Sequence, residues 1–588
     1  MRAFRARRRR PPPGSNARTS SEPPPFAPVT PPQRDGGSHE EPRSTPPPGA
    51  SSGPTDAGSC ASGDRLEFGG APGALAIITL SHLVAYYVLL CVAKRQGRLY
   101  PLPLSSAALA ALLADLRELA APTPASWAVY LGFLGTQLIL ALVCPGPVVH
   151  GYPVTKSGER ADDADDAAGK KKDARRLPYK CNALSAWWVT LLTVGLGTLV
   201  FGDAPLVWVA DNRGRLLTCA VCVGDVGSLV FYLKGVLARE KDASSGLSSS
   251  QKKTNKKNIL YDFFMGTELN PRSFGDKLDW KMFAELRVSW VTLFLLTASA
   301  AAKQARARRE AAFFLSQKLG DDFLSAAVAR AVTDYPYVSS ASLLLLAAHW
   351  LYANACQKGE ACVPYTWDVF HEKFGWMLLW WNVVLPFVYS ATSFVVAETD
   401  PRLSLSTTAL LWVTLLSAYY VWDVAQAQRV TFRARRVAGG DQTKTKTNEN
   451  EYDAFRVPDD GADDASSALA PPGGLPSRPW AFPKLPWSEL RSPTFLETRG
   501  GGALLTSGLT GMAWKAHYTA DFCMALVWAF SSGGSPFSKP AAFFYPAFFA
   551  AMIAHRARRD ETRCLAKYGE DWRRFREAVP YVWVPGIA

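Results

Sequence analysis

Arg556, Asp560 and Cys564 are spaced i, i+4 and i+8, so in a helix all three lie on one face, directly behind the apolar run from Pro540 to Ala554. A charge that dips into lipid there costs about 3 kcal/mol. The stripe is therefore either a solvated basic cap or the wall of a polar pocket. Arg429 and Arg433 stand one turn apart at the end of another apolar run, with Gln426 before them. Two guanidiniums so placed form a fork suited to a phosphate, and anchoring by positive charge at a membrane surface accounts for them equally well. Tyr352 and Asn354 sit inside an otherwise apolar helical stretch that ends at Glu360, and Asp521 follows His517 and Tyr518 at the start of another. A buried Tyr commonly just hydrogen-bonds a neighbour; the sharper reading is a proton donor aimed into a substrate cavity. Asp521 is either a solvated carboxylate at a helix start or a buried one that needs an Arg or backbone partner. Gly266-Thr-Glu268-Leu-Asn270-Pro-Arg272 must turn at Asn-Pro, which reads as a loop entering the membrane surface. Lys281-Met-Phe-Ala-Glu285-Leu-Arg287 then puts Glu285 and Arg287 at the mouth of the next apolar run.

Several chemistries are excluded by pattern. No GxGxxG lies between a strand and a helix, so no Rossmann domain is expected. Neither a Ser-His-Asp pattern nor HExxH occurs. Cys219 and Cys222 form a CxxC inside an apolar helix with no second pair or His nearby, so no metal site is expected there. Cys356 and Cys362 are expected as thiols on the cytosolic side.

The elements that must position these residues are membrane helices. Ten apolar runs recur: Gly73–Ala93, Trp127–Cys144, Ala186–Gly202, Leu216–Leu233, Val288–Ala302, Ser340–Cys356, Trp376–Ala397, Thr407–Ala425, Tyr518–Ser532 and Phe537–Ala554. Runs of this kind predict an all-α, polytopic membrane protein with about ten transmembrane helices. Residues 1–70, rich in Pro, Ser, Gly and Arg, cannot bury enough apolar surface to offset their ordering entropy and read as a disordered tail. Residues 71–588 form the membrane domain, with flexible insertions near 157–176, 240–256 and 437–475. The Lys- and Arg-rich connections fall on one side if both termini are cytosolic, with Lys94-Arg95 and Lys303–Arg309 breaking the pattern. The net charge of +14 reflects these loops and the tail and calls for no nucleic-acid partner. The arginine-rich start fits a plastid-type transit peptide, a retention signal or a basic tail on the cytosolic leaflet.

Within this frame the chain resembles the sterol reductase family, membrane enzymes that reduce sterol double bonds with NADPH. The resemblance rests on Gly266–Arg272, Lys281–Arg287, Ala348–Glu360, Lys373–Asn382, Ala418–Asp423, Ala425–Gln428 and the block from His555 to Pro585-Gly586. Ala348–Glu360, Lys373–Asn382 and Ala418–Asp423 with Ala425–Gln428 look like the C-24(28) branch, where the C-14 and C-7 branches typically carry Gly-Asp at 381–382. The likeness implies NADPH contacts at Arg429, Arg433, Leu505, His517, Tyr518, Arg556, Asp560, Cys564, Lys567, Tyr568 and Phe575. The sequence departs from the family at Arg429 (usually Lys), His517 (usually Asn), Phe575 (usually Tyr) and Thr510, where the C-14 and C-7 branches have Trp. The likeness further implies a sterol pocket bordered by Glu268, Asn270, Arg272, Glu285, Asn354 and Asp521. Proton donation falls to Tyr352, Glu360 or Asp560, with hydride from NADPH. The expected activity is reduction of the C-24(28) double bond of the sterol tail in the endoplasmic reticulum membrane. The alternatives are C-14 or C-7 reduction, or a non-catalytic sterol-binding scaffold.

Overall fold

A computed structural model describes residues 67–155, 174–244, 258–319, 337–439, 485–499 and 502–587. Residues 1–66 of the tail expected to be disordered, and most of the three insertions, lie outside these residues; the last four residues of that tail, 67–70, are instead helical.

After a 3-10 turn at Glu67–Gly69, the chain runs through α1 (Gly70–Arg95), α2 (Ser106–Ala120) and α3 (Pro124–Val143). Thr123 and Ser126 close a capping box at the start of α3, with Pro124 at the first helical position where its missing N–H costs nothing. The antiparallel hairpin β1 (Val148–Thr155) and β2 (Ala174–Lys180) leads to α4 (Ala183–Phe201), α5 (Ala204–Asp211), α6 (Arg213–Ser244) and α7 (Ile259–Met265). Gly266, at φ 97°, then lies so close to Gly375 that an added Cβ would sit 2.5 Å from the Gly375 nitrogen. Only glycine tolerates both the left-handed backbone and that approach. The Asn-Pro turn expected at 270–271 leads into a small hairpin, β3 (Arg272–Ser273) with β4 (Leu278–Asp279).

Asp279 caps the next helix by accepting from the Lys281 and Met282 amides at 3.0 and 3.1 Å. α8 (Trp280–Met282) passes through a π-helical turn at Phe283–Ser289 into α9 (Trp290–Leu319). α10 (Ser340–Lys358) follows, then a 3-10 turn (Glu360–Tyr365), α11 (Trp367–Phe370), α12 (Trp376–Tyr389), α13 (Ala391–Thr399) and the long α14 (Leu405–Gly439). The hairpin β5 (Phe495–Glu497) and β6 (Ala503–Leu505) precedes α15 (Gly508–Met512), α16 (Ala516–Phe530), α17 (Pro540–Tyr568) and α18 (Glu570–Ala578).

Among the described residues, seven helical stretches are long and apolar enough to cross a membrane: 67–95, 124–143, 183–201, 213–238, 280–314, 376–399 and 405–433. These coincide with seven of the ten predicted runs. The other three are helices of a different character. α16 has 15 residues, which at 1.5 Å per residue reach ~22 Å, short of a ~30 Å hydrocarbon core. α17 turns basic halfway along, and α10 buries His349, Asn354 and Gln357 among its apolar residues. α10 and α16 pack against α14, and α17 packs on α16, so these elements share one core in which a few polar side chains are buried.

The two basic clusters that break the charge rule are paired. Lys94 meets Asp115 and Glu118 at 3.2 and 2.8 Å, Lys303 meets Asp211 at 2.9 Å, and Arg306 and Arg309 both hold Asp203. Pairing removes much of the charge that would otherwise set their side of the membrane. None of the described cysteines is disulfide-bonded.

Candidate active site

The interior polar pair comes from two helices far apart in sequence. The Tyr352 hydroxyl on α10 donates to the Asp521 carboxylate on α16 at 3.4 Å, and both residues are buried. Aromatic rings surround them. Trp422 stacks on Tyr352 at 5.3 Å, Trp290 leans on it at 5.0 Å, and Trp528 meets it edge-on at 5.6 Å. Tyr545 stacks in turn on Trp528 at 5.0 Å. One turn before Tyr352, His349 takes a 2.6 Å hydrogen bond with Thr297 and is fully buried. A carboxyl and a phenol in so apolar a setting are expensive to bury, which makes the pair a candidate for chemistry.

A cationic block lies one turn away, around the N-terminal end of α16. Arg429 of α14 donates to the His517 ring at 3.2 Å. Burial, then Arg429, Lys515 and Arg556, hold His517 well below the usual imidazole range. The ring is thus neutral and able to accept. Lys515 pairs with Asp560 and lies 4.9 Å above the Tyr518 ring. Burial pushes Lys515 down to about 8 against the pull of Asp560. Burial raises Asp560, but Lys515 and Arg556 more than offset it, so its carboxyl stays below the ordinary range. Arg556 pairs with Asp368 at 2.9 Å, which raises it further. Burial, with Asp560, pushes the Cys564 thiol up to about 11, so it remains protonated. Arg429 differs from its neighbours: among the described residues no carboxylate lies within ion-pair distance of it.

The block is held by a clasp at the C-terminus. The Trp514 and Lys515 amides donate to the carbonyls of Tyr581 and Val582 at 2.9 and 2.7 Å. Trp514, Trp572, Phe575 and Val579 form a small core against which Leu504, Cys564 and Tyr568 pack. Gln428 braces the neighbouring turn, accepting from the Leu509 amide at 3.0 Å and donating to the Trp487 carbonyl at 3.0 Å. A Cβ at Gly508 would fall 2.4 Å from that glutamine oxygen, so the motif requires glycine.

The predicted residues thus divide. Tyr352 and Asp521 meet in the interior. Arg429, His517, Tyr518, Arg556, Asp560 and Cys564 gather in the cationic block. Tyr568 and Phe575 belong to the clasp, where Phe575 stacks on Trp572 at 5.0 Å, while Leu505 is buried on β6 and pairs with Phe495 of β5. Lys567 lies over Tyr568 at 5.2 Å, and Arg433 is exposed at the end of α14.

A third group surrounds the small hairpins. Arg287 meets Glu360 at 3.3 Å and also holds Asn182, while Glu360 accepts from the Ala183 amide at 2.6 Å. Arg272 stacks over Tyr179 at 4.3 Å, and the Tyr179 hydroxyl reaches Asn270 at 3.5 Å. Glu268 pairs with Lys234 at 3.2 Å. Asn354 is buried within α10. Sequence reasoning missed Lys515 and Asp368. Lys515 carried a usable signal, two residues before His517; Asp368 carried none, because its partner lies 188 residues away.

Residues 63–313 and 323–588 match the model of the Ergosterol biosynthesis ERG4/ERG24 family. The chain belongs to this family. It is 32% identical over 529 residues to Delta(24(24(1)))-sterol reductase erg4A of Aspergillus fumigatus, covering 89% of this chain and 92% of that one. The Delta(24(24(1)))-sterol reductase of Gibberella zeae is 31% identical over 531 residues, covering 89% of this chain and 73% of the relative. The Delta(14)-sterol reductase of Methylotuvimicrobium alcaliphilum is 28% identical over 515 residues, covering 87% and 93%. The protein is thus a sterol-reductase-type oxidoreductase of lipid metabolism, with helices suited to a membrane. Within the family frame the two polar centres are one helical turn apart: four residues of α16 separate His517 from Asp521, or ~6 Å along the axis.

Proposed function

We propose that the protein uses NADPH to reduce the C-24(28) double bond of the sterol tail, acting in the endoplasmic reticulum membrane with both termini cytosolic. The observation that carries this reading is the arrangement along α16: a phenol–carboxyl pair in an aromatic interior, one turn from a guanidinium with no ion-pair partner among the described residues. An uncompensated cation beside a neutral imidazole, at the positive end of a 15-residue helix, is suited to a phosphate. Arg429, Arg433 and Lys515 would hold the phosphates, with Tyr518 and the Arg556–Asp560 stripe beside them. When bound, NADPH supplies the hydride.

An isolated alkene resists hydride attack, so it must first take a proton. Tyr352, hydrogen-bonded to Asp521, is positioned to give that proton to the carbon whose protonation leaves the more substituted cation. Asp521 enters the cycle as the protonated acid, passes its proton to the Tyr352 oxygen and so holds the single charge left on the pair. The faces of Trp422, Trp528 and Tyr545 favour a cation next to them by roughly 0.5–2 kcal/mol each, and the buried setting keeps water from trapping it. Glu360, held by Arg287 and the Ala183 amide, is assigned to structure rather than to proton transfer. Asp560, tied to Lys515, is assigned to the cofactor block.

The names of two relatives favour the C-24(28) bond; the bacterial relative's name favours a second reading, C-14 reduction. Sterol profiles of hosts lacking their own C-24(28) or C-14 reductase, with and without this protein, decide between them. Conversion of the 24(28)-unsaturated sterol to its saturated product supports the proposal. Persistence of that sterol, with repair of the C-14 defect, replaces it by the second reading.

A further inference from the structure

Each turnover of the proposed reaction consumes one proton from the Tyr352–Asp521 pair, and both residues are buried. A reloading route is therefore a chemical requirement. Among the described residues, Glu285 stands out as a carboxyl without a hydrogen-bond or ion-pair partner near this pair. Its potential partners are committed elsewhere. Lys281 donates to the backbone carbonyls of Asp368 and Val369, both at 2.9 Å, and to that of Glu372; Arg556 is held by Asp368.

Glu285 also sits on the π-helical turn Phe283–Ser289. Such turns are rare within α-helices and are frequently found at functional sites. This one is braced from α10, where Gln357 donates to the Leu286 carbonyl at 2.6 Å. The turn has neighbours belonging to both centres. On one side Glu285 is within electrostatic reach of Asp368, Arg556 and Lys281. On the other it reaches Cys356, which in turn is within reach of Asp521. Trp290 and Cys356 pack both against the aromatic cluster around Tyr352 and against the Met282–Leu286 cluster beneath the turn, so the two regions are continuous.

We propose that Glu285 is a proton-relay residue, reloading the Tyr352–Asp521 pair from the side of the cationic block after each turnover. The inference rests on the reductase reading above. After the alkene has taken its proton, the Glu285 O–H bond breaks and its proton passes to the pair, directly or through an intervening water. The Glu285 carboxylate then regains a proton from water on the side of Arg556 and Asp368. No electrons move in this step, and one proton enters per double bond reduced.

The test compares the first turnover with the steady state in purified full-length protein. With Glu285→Gln, the first equivalent of sterol should be reduced at the wild-type rate from a preloaded pair. Steady-state kcat should then fall about 100-fold, and formate should restore part of it by carrying protons in place of the missing carboxyl. Equal slowing of the first and later turnovers, or a steady-state kcat within about twofold of wild type, would overturn the relay. If Glu285→Gln does not fold, Glu285→Asp keeps the acid on a shorter arm. It should preserve the first turnover and slow the steady state several-fold, and an unchanged steady state would count against the relay. Loss of sterol reduction by the wild type itself would instead count against the reductase reading.

Discussion

Arg429 offers the sharpest separation of a functional from a structural role. Its guanidinium lies against the neutral His517 ring with no carboxylate at ion-pair distance among the described residues. Replacing it with Met keeps an unbranched apolar stem of similar reach and removes only the charged head. Because no acid is left unpaired, the variant should not lose stability, and relief of a half-buried cation should hold or raise the melting temperature. Binding should respond in the opposite direction. A charge-assisted hydrogen bond to phosphate is worth roughly 1.5–3 kcal/mol, so KM for NADPH should rise by roughly 10- to 150-fold. Arg433→Met, at an exposed position, should raise it only a few-fold because solvent screens the contact. Cofactor KM and thermal melting of the two purified variants, measured side by side, give the answer. An unchanged KM together with a melting temperature several degrees lower would mean that Arg429 is a strut, and the phosphate assignment would fail.

Tyr352→Phe removes the donor hydroxyl while leaving its ring between Trp422 and Trp290; kcat should fall by about 10²–10⁴ with sterol affinity retained, and full activity would exclude Tyr352 as the acid. Lys515 is held at about 8 by burial, so its charge, and with it affinity for a phosphate ligand, should decline as pH rises through that value. Cofactor KM should be about tenfold higher one pH unit above that midpoint, and a flat profile from pH 7 to 9 would remove Lys515 from the binding set. Glu360→Gln leaves Arg287 buried against a neutral partner; thermal melting should show a loss of about 3–5 kcal/mol, while the surviving folded fraction keeps its wild-type KM for NADPH. A selective loss of kcat with unchanged melting would return Glu360 to the list of proton donors.

Much of this was legible from residue order because helix periodicity and apolar length are local properties. The shared face of Arg556, Asp560 and Cys564 follows from a 3.6-residue turn, and the seven spans follow from runs of apolar residues. Asp521 was recognisable as a group needing a partner, since a carboxyl in an apolar helix is costly wherever it lies. The expectation of an Arg or a backbone group was met by a different donor, the hydroxyl of Tyr352, 169 positions earlier.

That choice could come only from the packing of α10 and α16 against α14, which is decided by contacts between distant segments. The same cause separates Glu360 from Tyr352, although both belong to one motif: past the end of α10 the backbone turns, and Glu360 is taken by Arg287 and the amide of Ala183. Residue types and their spacing determined that the protein is a bundle of membrane helices carrying costly polar groups. Tertiary packing decided which of those groups neutralise one another and which, like Arg429 and Glu285, have no ion-pair partner among the described residues, because pairing depends on distance in space and not along the sequence.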